Sequence, residues 1–344
     1  MIKAGIIGAT GYAGLEITRL LLGHPKAEIT AVSSVSFTGS KLQEVYPSMR
    51  GIFEMTLQDD RAVIEKSDVV FASLPHGLSE GIAAECYDNG KLFIDMGADF
   101  RLKNEDDYKQ WYDGAYQSKK LHEEAVYGLP ELFRERISGA KIIANPGCYP
   151  TSVALGLAPL LKANAIDLRN IIIDSKSGVT GAGRTLSQNT HFPDCNEAFA
   201  PYKVAVHRHT PEMEQTLSEI SGEKVTVTFV PHLLPINRGI LSTVYTIPHD
   251  KLSAEELYEK FSTFYNMDKF VRILPLGETA NLKNVKYSNY CDISLHLDER
   301  CGRVIIVSAI DNMVKGAAGQ AVQNMNVACG FEEDLGLLLI PPAF

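Results

Sequence analysis

No two cysteines in this 344-residue chain stand at CxxC spacing, and its six thiols (Cys86, Cys148, Cys195, Cys291, Cys301 and Cys329) lie scattered. That excludes a disulfide framework and a zinc cluster, so no metal is expected. Long apolar runs are missing too. The longest, Leu335–Ile340 before a proline pair, is far shorter than a bilayer span. Positive charge is scarce: 33 Lys and Arg against 42 Asp and Glu give a formal net charge of −9. Partners such as nucleic acid or an anionic membrane are therefore not expected. An anionic ligand would need local clusters of Arg, Lys and backbone N–H groups. The chain opens at once on MIKAGIIGATG, a strand and a glycine turn, so a signal peptide is not expected and a reducing cytoplasm fits best.

What is present reads as a globular enzyme of two domains. Hydrophobic residues make up 45% and charged residues 22%, and the length allows two ordinary cores. The first part alternates short apolar strands with helices. Ile2–Ile7, Glu28–Ser33, Asp68–Ser73, Leu92–Asp95 and Ile142–Ala144 read as buried parallel strands, and Leu15–Leu22 as a helix. From about Asp174 polar loops take over. Longer alternating segments follow at Val225–Val230, Ile240–Ile247, Asp292–Leu297 and Arg303–Ile310, as in an antiparallel or mixed sheet. A helical segment at Ala317–Val327 is expected to return to the first domain. The expected fold is α/β: a Rossmann-type dinucleotide-binding domain over residues 1–147, completed by a C-terminal helix over 312–344, and an α+β catalytic and oligomerisation domain over 148–311.

Three motifs carry chemistry. GATGYAG places Gly8, Gly11 and Gly14 after the first strand and at the opening of the first helix, where glycines permit a tight turn and close approach of a pyrophosphate. The other reading is a tight turn with no ligand. The second strand ends in Ala31-Val32-Ser33-Ser34, without the acid that would bind a ribose 2′-OH and repel a 2′-phosphate. Ser33, Ser34 and nearby Lys41 would tolerate that phosphate, which favours NADP over NAD. KIIANPGCYPTSVALGLAPLL sets Cys148 after a strand and a Pro-Gly turn, at the start of a helix with Pro150 in its first turn. Such a thiol feels the positive end of the helix dipole and ionises more readily, which suits a nucleophile; the alternative is a small buried hydrophobe.

YKVAVHRHTPEMEQ supplies an acid/base candidate. If Tyr202–His209 is extended, His207 and His209 point to one side, with Thr210 capping the next helix and Pro211 at its first position. Arg101 in GADFRL, Arg184 in SGVTGAGR and Arg238 in PINRG lie in loops that suit carboxylate or phosphate, or alternatively surface ion pairs.

GATGYAG, DMGADFRL, VYGLPEL, ANPGCYPT, SGVTGAGR, HRHTPE and DNMVKGAAGQAVQN occur here in one order. With them the chain resembles the longer type of N-acetyl-gamma-glutamyl-phosphate reductase, relatives of aspartate-semialdehyde dehydrogenase, from Ala4 to Asn326. The resemblance implies NADPH-dependent reduction of a small-molecule acyl phosphate to an aldehyde in arginine biosynthesis, by a homo-oligomer (dimer or tetramer). It implies a thioester on Cys148, with His209 as acid/base and His207 near the substrate's polar groups. Arg101, Arg184 and Arg238 would hold the substrate's anionic groups. Thr10, Tyr12, Pro75, Gly178 and Asn312 would join the glycines, the serines and Lys41 around NADP. One departure is Tyr287, where the resemblance leads us to expect glycine. Aspartate-semialdehyde dehydrogenase shares the loop and the thiol. A Cys-His amidase or transferase would need only Cys148 and His209, and a non-catalytic NADP-binding sensor would leave Cys148 buried and inert.

Overall fold

The computed structural model describes residues 1–343. Phe344, the last residue of the expected C-terminal return, lies outside the described residues. The chain divides into two compact units: Met1–Pro146 with Ala317–Leu338, and Gly147–Gly316 with the final segment from Leu339. The return to the first unit thus begins at Ala317 rather than Asn312. Residues 312–344 are not one helix: Val314–Ala318 forms a π-helical turn and Gly319–Ala328 the α-helix.

The first unit is built on six strands: β1 (Ile2–Ile7), β2 (Ala27–Val32), β3 (Val69–Ala72), β4 (Leu92–Asp95), β5 (Ala125–Tyr127) and β6 (Ile142–Ala144). Their order is β2-β1-β3-β4-β6-β5, and every pairing is parallel. β1, β3, β4 and β6 are apolar almost throughout because both faces of a parallel sheet are covered. Gly8 takes a left-handed φ of +76°, and a Cβ there would run into the Ser73 carbonyl. Gly14 lies in the helix Tyr12–Leu21, and a Cβ there would strike the Gly8 carbonyl and come within 2.9 Å of Ala9 Cα. The Gly319–Ala328 helix is held by buried amides: Gln320 and Asn324 donate to the Gly128 carbonyl at 3.2 and 2.8 Å, and Asn324 also donates to Asn145 Oδ1 at 3.0 Å.

The second unit carries β7 (Ile171–Gly178), β8 (Ala200–Pro201), β9 (Val227–Leu234), β10 (Ile240–Thr246), β11 (Val271–Ile273), β12 (Cys291–Asp298) and β13 (Arg303–Ile310). The order is β11-β12-β13-β10-β7-β9-β8. It is mixed: β7–β9 and β11–β12 pair parallel, the rest antiparallel. β7 is central although its second half reads as polar loop, because alternate residues such as Asp174 and Lys176 face away from the buried Ile173 and Ser175. The helix Cys148–Lys162 packs on β10 and β13. Small residues let it approach. Ser175, Ser242 and Ser308 stand side by side on neighbouring strands, and Ser152 of the helix reaches Ser242 at 3.1 Å and Ser308 at 3.0 Å.

The glycine turn gives a stability test. Gly14→Ala should destabilise the protein by about 1–3 kcal/mol, since only backbone stands in the way of the new methyl. Gly81→Ala, in the first turn of the helix Ser79–Asp88 with nothing else packed within 4 Å of the new Cβ, should stabilise by up to about 1 kcal/mol. Denaturant titration of both variants measures this; equal midpoints would refute the close-approach argument.

Candidate active site

Cys148 is the first residue of its helix, with Gly147 at the N-cap, and is partly exposed. Two contacts fix it. The Gly147 N–H donates to Glu212 Oε1 at 2.8 Å, and Glu212 is fully buried. On the other side Gly316 of the π-helical turn abuts the cysteine, so that a Cβ at residue 316 would lie 2.8 Å from Cys148 Cβ. His209 is the N-cap of the helix Thr210–Ser221, which packs against the cysteine helix. Thr210, expected as the cap, is the first helical residue instead, and Pro211 is the second. The expected extension of Tyr202–His209 is absent: the segment is a series of turns, with positive φ at Lys203 and Ala205.

Tyr149 joins these parts. Its ring meets His207 at 5.6 Å, His209 at 5.9 Å and Phe229 at 5.2 Å between centroids, and its hydroxyl lies 3.1 Å from that of Tyr202. Burial raises both phenol pKa values, Tyr202's to about 12, and the charge of a Cys148 thiolate adds to both. Both phenols stay protonated near neutral pH. His207, expected near the substrate's polar groups, is buried in this structure: Tyr149, Tyr202, Phe229 and His209 all pack on it edge-to-face. Its Nδ1 accepts the backbone N–H of His209 at 3.1 Å. Desolvation, then the neighbouring His209, Lys203 and Arg208 charges, depress its pKa to about 3 against an opposing pull from Glu212.

Gly178, Arg238 and Asn312 form a second cluster in this unit. A Cβ on Gly178 would lie 2.7 Å from the Asn237 carbonyl. Asn312 is buried; it accepts from the Gly239 N–H at 2.7 Å and donates to Thr180 Oγ1 at 3.0 Å. Arg238 lies 3.5 Å from the buried Asp311 carboxylate and 4.9 Å over the Tyr287 ring. Tyr287 has φ +61°, the conformation glycine adopts most readily, and its N–H donates to Asp311 at 2.7 Å. The Asp311 carbonyl accepts from Gly316 N at 3.0 Å, which links this cluster to the turn beside Cys148. Arg184 lies in an exposed loop.

The first unit holds the other expected residues. Arg101 is buried, and donates to the carbonyls of Asn145 at 2.8 Å and Met96 at 2.9 Å. Gly11 caps the helix that opens with the exposed Tyr12. The Thr10 and Ser34 hydroxyls lie 2.7 Å apart, and Tyr46 Oη donates to the Thr10 carbonyl at 2.8 Å. Ser33 is fully buried and donates to Asp60 Oδ1 at 2.5 Å, so a carboxylate from another element stands at a strand end that lacks one in sequence. Lys41 lies 3.4 Å from Glu54. Pro75 is exposed in the loop after β3, where the Asp99 carboxylate holds Gly77 N at 2.8 Å and Ser79 N at 2.9 Å. A backbone-lined turn with no room for side chains, next to a hydroxyl pair, fits a dinucleotide. Among the described residues no group of three His, Cys, Asp or Glu is placed to hold a metal.

Sequence reasoning had missed Glu212, Tyr149, Tyr202 and Gly316. The glutamate in TPE, at the third position of a helix, was the one visible signal for a buried acceptor.

Comparison with known proteins places the chain. The profile of the semialdehyde dehydrogenase NAD binding domain matches residues 3–140, and that of the semialdehyde dehydrogenase dimerisation domain matches 148–312. Proteins named N-acetyl-gamma-glutamyl-phosphate reductase are 57% identical in Brachyspira hyodysenteriae and 58% in Clostridium botulinum, over 100% of both chains. Among solved structures, aspartate semialdehyde dehydrogenase II of Vibrio cholerae, complexed with ASA, superposes with TM-score 0.73 at 16% identity over 95% of this chain and 98% of its own. The Candida albicans aspartate semialdehyde dehydrogenase with NADP gives 0.68 at 16%, over 95% and 98%; at such identities the likeness is one of fold. The NAD(P)-binding unit, the mixed-sheet unit and the full-length identities agree, and the chain belongs to the N-acetyl-gamma-glutamyl-phosphate reductases of the semialdehyde dehydrogenase family.

Proposed function

We propose that this protein reduces N-acetyl-L-glutamyl 5-phosphate to N-acetyl-L-glutamate 5-semialdehyde with release of phosphate, using NADPH, in L-arginine biosynthesis. The observation that carries the reading is the identity of 57–58% along the whole chain with proteins of that name, around a thiol at a helix start whose next residue, Tyr149, packs on two histidines. The dimerisation profile supports a homo-oligomer, a dimer or tetramer. Six cysteines outside any disulfide suit a reducing compartment such as the cytoplasm.

Cys148 is the nucleophile. Its thiolate attacks the acyl carbon, a C–S bond forms, and the C–O bond to phosphate breaks with the electron pair leaving on phosphate. Backbone N–H groups of the first helical turn stabilise the carbonyl oxygen as it gains charge. The glycine turn, with Thr10, Ser34 and Lys41 beside it, would hold the nicotinamide cofactor, which when bound would supply the hydride that turns the thioester into a thiohemiacetal. His209 gives the proton to that oxygen and takes it back as the C–S bond breaks, freeing aldehyde and thiolate. Arg184 and Arg238 hold the substrate's carboxylate and phosphate. Arg101, whose donors meet backbone carbonyls, steadies the chain just ahead of Gly147.

The reverse reaction tests the assignment. Phosphate-dependent reduction of NADP should proceed with N-acetylglutamate semialdehyde and at no more than a trace rate with aspartate or glutamate semialdehyde; preference for aspartate semialdehyde would overturn it. Cys148→Ser should lower turnover by at least about a hundredfold with NADPH binding intact, and His209→Asn should lower kcat far more than it changes KM. A serine variant retaining more than about a tenth of the activity would sink the thioester route. NADPH should be strongly preferred to NADH, and Ser34→Asp should reverse this by repelling the 2′-phosphate. Equal wild-type rates with both cofactors would remove the argument.

A further inference from the structure

His207 faces protein on every side the structure describes. Tyr149 of the cysteine helix packs on its ring, as does Phe229 of β9. Tyr202 and His209 close it from its own segment at 5.5 and 4.9 Å, and the charged groups that act on it are His209, Lys203, Arg208 and Glu212. Residue 207 closes its turn twice. The side-chain Nδ1 takes the N–H of His209 at 3.1 Å, and the backbone carbonyl takes the N–H of Thr210 at 2.9 Å. A ring nitrogen that accepts an N–H bears no proton, so this bond assigns the Nε2–H tautomer.

We propose that His207 is a positioning residue: through Nδ1 it fixes the backbone of His209 at the N-cap of the Thr210–Ser221 helix, and so sets where the His209 imidazole stands. The inference rests on the proposed role of His209 as proton carrier. Its physical logic is that of an Asx turn, with an imidazole nitrogen in place of the carboxylate oxygen. The N-cap side chain makes no capping hydrogen bond to its helix, and the Nδ1 bond from two residues upstream orders the backbone there. The ring is held neutral by its depressed pKa. A charged imidazole would lose the acceptor and release the turn.

Asparagine and glutamine separate positioning from substrate binding. Asn places its amide oxygen where Nδ1 was, whereas Gln places its amide where Nε2 was. His207→Asn should keep kcat within about threefold of the parent, while His207→Gln and His207→Leu should lose about tenfold or more in kcat with KM for the acyl phosphate little changed. If Gln outperforms Asn, or if the loss falls on KM alone, His207 binds substrate through Nε2 and the proposal fails. A second measurement is independent of turnover. In 15N-histidine NMR of the whole protein, the His207 signal (identified by its loss in His207→Asn) should stay in the neutral Nε2–H form from pH 5 to 9. Titration within that range would overturn the proposal even where all variants remain active. If His209→Asn proves fully active while His207 stays neutral, the proton-carrier reading fails and the backbone clamp stands.

Discussion

The site depends on one buried bond, from the Gly147 N–H to the Glu212 carboxylate. Gly147 caps the helix that begins with Cys148, and Glu212 sits in the first turn of the helix that begins just after His209. Two helix starts are thereby held in one register. A carboxylate buried away from water tolerates this only while its acceptors are used, so each helix enforces the place of the other. The remaining features follow. Tyr149 fits between the helices as a spacer against both histidines, and glycine at 316 leaves room for the cysteine side chain.

What could be read in the sequence was what repeats locally. The parallel strands of the first unit are continuous apolar runs, and their placement matched the structure to within about a residue because nothing else explains such runs. The glycine turn was legible for the same reason. β5, β8 and β11 span three, two and three residues and leave no period to detect. β7 was hidden by its own alternation, since a strand with Asp174 and Lys176 on one side reads as polar loop until Ile173 and Ser175 are seen to be buried. The turns ahead of His207 escaped notice because their left-handed residues are Lys203 and Ala205, which carry no glycine signal.

Partners far apart in sequence were the illegible part of the site. The absence of an acid after Val32 was visible; that Asp60 would come to Ser33 was not. Arg238 read as a loop cation, but the structure seats it between Asp311 and the Tyr287 ring. Tyr287 stands where glycine was expected and keeps glycine's backbone conformation. Its left-handed φ carries a cost of about 1–2 kcal/mol for a residue with a Cβ, against which stand the Asp311 bond and the contact with Arg238.

The acidity of the chain has a local explanation that net charge conceals. Several of its buried carboxylates hold backbone N–H groups in addition to a cation or an imidazole. Asp99 holds Gly77 and Ser79, Glu80 holds Gln117 and Ser118, and Asp311 holds Tyr287, Met313 and Val314. Each stiffens a turn at a loop that a compact α/β protein must otherwise leave slack. Where two such groups approach, the strain shows: burial and the nearby Asp99 charge push Asp95 up to about 6, against the pull of Ser79, Gly97 and Arg101. A carboxylate so raised adds stability only in its protonated form, which is lost as pH climbs through its folded value. The same geometry, a carboxylate receiving a backbone N–H, recurs at Glu212 just ahead of Cys148. An acidic chain can thus use its carboxylates as backbone clamps, while a helix start such as that of Cys148 still presents N–H groups and the positive end of the dipole.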